Sequence, residues 1–277
     1  MKKNLVLIFT VLVCFLNISC LSSLQELSSG LMDLNGGTSV KKVPAYTNEE
    51  AVSAMKDALE EGIKFASSSL SQKDAYFKNA AIKILLPEEA KPILGILNKI
   101  PGGQSLVDDV VLRLNRTAEE AAKDTVNIFV SAIKQMTVID GIKIVTGNKD
   151  AATEYLREKC YDKLVNLYKP KVNTVLNKPL VMNVSANEAW EKLITNYNKY
   201  GKIANTAAKI AGQKEPCPPV TVDLAQYATE KALDGLFTGI AEEEAKIREN
   251  PLKYASAMIQ KVFNYVKQGI TTITVRS

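Results

Sequence analysis

Between Ser105 and Met136 the apolar residues Leu106, Val110, Leu114, Ala118, Ala121, Thr125, Ile128, Ala132 and Met136 step by threes and fours. A stripe with that period lies on one side of an α-helix and would be split between the two faces of a strand. The spacing therefore predicts one long central helix over 105–136. Ser105 is its expected N-cap, and Asp108-Asp109 fall in the first turn, where the helix dipole favours acids.

The same period recurs along most of the chain. Asn48 is the expected cap of a helix to about Ser69, with Val52, Met55, Leu59, Ile63 and Ala66 on one face. Lys73 to Leu86 is mixed, and Ile82 to Leu86 reads as extended before Pro87. Short helices are expected over Glu88–Ile100, ended by Pro101-Gly102-Gly103, and over Ile139–Val145. Lys149–Tyr168 should stop at Lys169-Pro170, with a separate stretch over Lys171–Leu176. Ser185 with Glu188 forms a capping box opening a helix that continues to Ala211. Asp223 caps a helix to Ile247, and Asn250-Pro251 opens the last one, to about Gln268. The remaining tail, 269–277, is β-prone. The expected fold class is all-α, a single multi-helix domain over 48–268, with at most a minor short strand pair.

The N-terminus has a different character. Met1-Lys2-Lys3 is followed by an apolar run from Leu5 to Leu16, long enough for a signal-peptide core and too short to span a bilayer. Asn17-Ile18-Ser19-Cys20 then places a small residue directly before a cysteine, where a bacterial lipoprotein leader is cut and the cysteine acylated. Asn17 stands where such leaders usually carry leucine; the alternative is an ordinary signal peptide cut near Ser19. The expectation is a leader over 1–19, lipidation at Cys20 and a flexible tether over 20–47. The chain would then be exported, periplasmic or membrane-anchored in a bacterial cell envelope, with the membrane as a partner through the lipid.

Histidine is absent from all 277 residues. That excludes Ser-His-Asp and Cys-His catalysis and the common imidazole-based zinc and iron sites. The balance of 35 basic against 30 acidic side chains gives no electrostatic case for nucleic acid. Cys160 and Cys217 lack the CxxC spacing of a metal or redox site. In an oxidising compartment they would tend to form a disulfide; otherwise they are two separate buried thiols. No cofactor and no metal is expected.

Asp109, Arg113, Asn115 and Arg116 form a polar cluster on the 105–136 helix, with Arg113–Asp109 and Arg116–Glu120 at ion-pair spacing. It reads as a surface network or a helix–helix lock. Glu119 and Asp140 are the catalytic candidates if the cluster instead lines a cleft. Gly147 to Asp150 resembles a C-cap followed by an N-cap, with an anion site as the alternative. Glu242-Glu243-Glu244 with Lys246, Arg248 and Glu249 read as a solvated end. Glu230 and Asp234 are a loose acidic pair, and Trp190, Tyr197 and Tyr200 read as core and rim rather than a stacking ledge.

Several blocks in register resemble the bacterial DUF4197 family, among them Lys83-Ile84-Leu85-Leu86-Pro87, Leu114-Asn115-Arg116-Thr117-Ala118-Glu119, Met136-Thr137-Val138-Ile139-Asp140-Gly141, Gly147-Asn148-Lys149-Asp150-Ala151-Ala152-Thr153 and Thr229-Glu230-Lys231-Ala232-Leu233-Asp234-Gly235-Leu236-Phe237. The resemblance spans about residues 50 to 267. It implies an exported, mostly helical single domain and no known activity. The residues favour a non-enzymatic binding or scaffolding module, engaging a partner protein or an apolar ligand between helices. The alternatives are a carboxylate-dependent hydrolase of envelope polymer and a purely structural component.

Overall fold

The computed structural model describes residues 46–274, with side chains to 269. The expected leader, Cys20 and the tether up to residue 45 lie outside the described residues, as do 275–277.

The described chain is all-α. Its helices are α1 (Asn48–Leu70), α2 (Lys91–Leu97), α3 (Gly103–Ala122), α4 (Thr125–Gln135), α5 (Gly141–Val145), α6 (Ala151–Leu176), α7 (Ala186–Ile210), α8 (Leu224–Glu249) and α9 (Ala257–Thr274). The only β feature among the described residues is one isolated antiparallel bridge, Val181 to Val184, within the bound of at most a minor strand pair.

The core is built on α1 and α8, which pack along each other. Small residues bring their backbones together. A Cβ on Gly62 of α1 would lie 2.9 Å from Ile240 Cγ2, and one on Gly239 of α8 would lie 3.0 Å from Ala66 Cβ. α6 covers a second side of α8, while α4, α5 and α9 surround α1. α3 packs on α6 and carries α7 on its outer side. Phe129, Tyr168, Phe237 and Phe263 are among the large side chains buried in this core.

Two expected boundaries are correct at atomic detail. Ser185 accepts from Glu188 N at 3.2 Å while the Glu188 carboxylate accepts from Ser185 N at 2.6 Å. Asp223 accepts from Gln226 N at 2.9 Å.

Others need correction. Thr47, not Asn48, caps α1: its hydroxyl accepts from Glu50 N and Glu50 accepts from Thr47 N. Asn48 instead crosses to α5, where Oδ1 accepts from Gly141 N at 2.7 Å and Nδ2 donates to Ile139 O at 3.1 Å. Tyr46, assigned to the tether, is buried with its ring edge-on to Tyr265, centroids 5.6 Å apart.

The long central helix is two helices. Gly102, at φ +77°, starts α3 two residues before Gln104-Ser105, so Ser105 is not the cap. At the other end Ala122 O accepts from the Ser67 hydroxyl at 2.8 Å and the Thr125 hydroxyl at 2.7 Å. With that carbonyl taken by side chains, the ladder tightens at Lys123 and Asp124 and restarts as α4.

α6, by contrast, runs straight through Pro170. The carbonyl that Pro170 fails to pair is that of Asn166, which is solvent-exposed, so water can satisfy it. Leu164, Tyr168, Val172 and Val175 meanwhile hold both halves on one buried stripe. Asn250-Pro251 opens a 3-10 turn, Pro251–Lys253, and α9 starts only after Ser256, whose hydroxyl accepts from Ile259 N. α9 then continues to Thr274, through most of the tail expected to be extended.

Candidate functional site

The polar cluster on α3 is a set of buried clamps on neighbouring loops. Asn115 is fully buried. Its Oδ1 accepts from Ile84 N at 2.9 Å and its Nδ2 donates to Ile84 O at 2.7 Å and Val111 O at 2.7 Å. The side chain pairs with both backbone groups of Ile84 as a neighbouring strand would, in a segment where Ile82 belongs to a turn and residues 83–87 have no regular secondary structure. Arg113 pairs with Asp109 at 2.9 Å and donates to Val181 O and Val184 O, both at 2.5 Å. It pins a tight turn in which Met182 and Asn183 adopt φ of +46° and +57°.

Arg116 does not take its expected partner Glu120. It pairs with Glu119 and Asp74, each at 2.5 Å, while Glu120 pairs with Lys123 and Lys178. Glu119 is buried and accepts from Tyr76 N at 3.1 Å and Phe77 N at 3.3 Å. Asp74, at φ +71°, lies at the start of the same loop. The hydrogen bonds from Arg116 and then Lys78 lower its carboxyl to about 2. Asp74 was not singled out from sequence: it lies 42 positions from Arg116, beyond any helical spacing.

Arg116 and Glu119 line a cleft of about 530 Å³ with Glu120 of α3, Lys123 just past the end of that helix, and Leu180, Val181 and Met182 of the turn. Met182 is 91% exposed and Leu180 38% exposed. The cleft thus sets charged side chains of α3 beside apolar side chains on the turn that Arg113 holds.

The two catalytic candidates do not meet. Asp140 is exposed and caps α5, accepting from Lys143 N at 2.9 Å. α5 is fastened to the start of α1 through Asn48, whereas the end of α3 that bears Glu119 is fastened near the other end through Ser67. α1 has 23 residues, so about 30 Å separates its two ends. Paired carboxylates that cleave a glycosidic bond stand within about 10 Å of each other. The arrangement gives Glu119 and Asp140 separate structural tasks.

The anion reading of Gly147 to Asp150 meets a similar answer. The N-terminus of α6 is already capped by a carboxylate from α8. Glu244, fully buried, accepts from Ala152 N at 3.0 Å, Thr153 N at 2.8 Å and the Thr153 hydroxyl at 2.6 Å. Arg248 pairs with Glu244 at 2.7 Å and donates to Val145 O at 2.6 Å and Ile144 O at 3.1 Å, at the end of α5. Glu243 is buried too, accepting from the Tyr254 hydroxyl at 2.7 Å. The charge run is therefore in part an internal joint and not wholly a solvated end.

Glu230 accepts from Gln226 and Asp234 pairs with Arg157 at 2.9 Å; among the described residues no group of three or more metal-type ligands occurs. Cys160 and Cys217 are buried free thiols, both raised by that burial. Cys217 is held through its backbone, its N–H donating to Asn205 Oδ1 and its carbonyl accepting from Asn205 Nδ2, both at 2.9 Å. Trp190 is half-buried, and Tyr197 is buried with its hydroxyl on Pro218 O at 2.7 Å, as core and rim residues should be.

What these features define is an all-α domain whose buried charges join helix ends and loops, with an amphipathic cleft on its surface. The chain belongs to the DUF4197 family, described as proteins of unknown function, whose model matches residues 45–264. No curated protein and no solved structure matches it.

Proposed function

We propose that this chain is a non-enzymatic binding module of the bacterial cell envelope, exported by its leader, anchored through acylated Cys20 and engaging a partner protein at the cleft beside α3. The leader and the Ser19-Cys20 junction support the location. The observation that carries the binding role is Met182: an almost fully exposed apolar side chain, on a turn locked by Arg113, lining a charged cleft. Exposed apolar groups on a rigid support are the usual anchors of a protein interface.

The test is a photo-crosslinking amino acid at Met182 in native membranes. A discrete protein adduct, lost when Leu180→Asp is added while the helical circular dichroism is unchanged, is expected. Absence of any adduct, or adducts indifferent to Leu180→Asp, would contradict the proposal. No helix among the described residues is long and apolar enough to cross a membrane.

A further inference from the structure

The second half of α7 stands apart from the rest of the domain. Its first half is anchored by Ala186, Ala189, Leu193 and Tyr197, and Gly201 is the last of its residues to be buried. From Lys202 to Ile210 every residue is exposed or only partly covered. A helix normally turns its apolar residues inward at three- and four-residue spacing. Here Ile203, Ala207 and Ile210 keep that spacing but face outward, with Ile203 at 64% and Ile210 at 83% exposure.

The charged residues on this half of the helix are all lysines; Glu215 of the following loop lies beside it, its carboxylate accepting from Asn205 Nδ2 at 3.3 Å. Lys192, Lys199, Lys202, Lys209 and Lys214 are the only charged residues from 192 to 214. Over the whole chain acids and bases are nearly balanced, so this segment is a local concentration of positive charge. Lys192 and Lys199 lie on the same helical face as Ile203 and Ile210, and Lys202 and Lys209 flank it.

We propose that this half of α7 docks on an anionic lipid surface, the isoleucines entering the headgroup boundary and the lysines pairing with lipid phosphates. Exposed aliphatic residues bordered by lysines that outnumber the one neighbouring carboxylate match an interfacial helix. An acidic protein partner would match the charge, but Ile203 and Ile210 lie outside the neighbouring cleft that Lys202, Lys209 and Glu215 line, so the aliphatic stripe does not belong to that recess. The inference deepens the envelope reading and rests on it only for bringing a bilayer close.

The test places the full chain in vesicles of phosphatidylethanolamine with either phosphatidylglycerol or phosphatidylcholine, their acyl chains brominated to quench tryptophan on contact. Ile210→Trp adds a reporter on the stripe, and Leu252→Trp, exposed on the 3-10 turn, is the control. Quenching of Ile210→Trp at least about twofold greater than that of the control is expected in phosphatidylglycerol, lost at high salt and with the Lys199→Glu, Lys202→Glu, Lys209→Glu variant. Equal quenching at the two positions, or none at either, would overturn the proposal. So would a discrete protein adduct from a photo-crosslinker at 210 in native membranes without quenching in pure lipid. The vesicles supply a bilayer whatever Cys20 carries, so failure here would leave the anchor untouched.

Discussion

Glu244 and Arg248, one turn apart on α8, form a buried ion pair that closes two other helices. The carboxylate accepts from N–H groups at the start of α6, and the guanidinium donates to the last carbonyls of α5. Each charge thus faces the helix end of opposite partial charge, so helix dipoles add to the attraction between the two side chains. The joint fixes the α5–α6 corner on the central helix α8.

Glu244→Gln keeps the volume and removes the charge, leaving Arg248 buried without its counterion. A loss of about 3 kcal/mol or more in urea unfolding is expected. Because the residues act as a unit, Glu244→Gln with Arg248→Met should lose less than the two single variants summed. Additive losses would show that the pair is not coupled.

Asp74 predicts an acid dependence. Its folded carboxyl lies at about 2, below the ordinary 3.8, because it accepts from Arg116 and Lys78. A depressed carboxylate contributes stability that is fully present above the unfolded value and is lost as pH falls through the folded one. Asp74→Asn, which tolerates the left-handed backbone at φ +71°, should lower the urea midpoint at pH 6. The gap to the unsubstituted chain should then close between about pH 4 and pH 2. A gap that persists unchanged at pH 2 would assign the loss to something other than this charge.

Asn115→Ala removes the only hydrogen bonds that Asn115 provides to Ile84 and leaves both backbone groups of that residue buried. A cost of about 2–4 kcal/mol is expected. The specific readout is hydrogen exchange: the Ile84 amide should exchange much faster in the variant, while amides within α8 should change only with global stability.

How legible these arrangements were depended on how far apart their partners lie in sequence. Ser185 with Glu188 and Asp223 with Gln226 are local pairs, and spacing alone located both caps. At α1 two capping residues stand side by side, and Glu50, three places after Thr47, decides between them. Thr47 then leaves Asn48 free to reach α5, 93 positions away. The break at Lys123-Asp124 depends on Ser67, 55 positions earlier, which no period in the 105–136 stripe reports. At the site, the residue types of the α3 cluster were legible, as was the Arg113–Asp109 pair. Their main partners, Ile84, Val181 and Asp74, belong to other segments and became visible only in the fold.

Gly235 tests the core. A Cβ there would overlap the ring of Tyr76, whose hydroxyl donates to Ala232 O at 2.8 Å on the same helix. Gly235→Ala ordinarily favours a helix, yet here a loss of about 1–3 kcal/mol is expected from the displaced ring. A rise in thermal stability would show that the ring yields freely.

Partner recognition at the α3 cleft and lipid docking by α7 both presuppose a membrane beside the domain, and the residue proposed to bring it there is Cys20. Intact-mass and peptide mass spectrometry of the protein purified from bacterial membranes tests this most directly. The expected mature chain begins at Cys20 and carries acyl mass on that residue. An unmodified N-terminus beyond Cys20, or a chain that retains Met1 to Ser19, would contradict it.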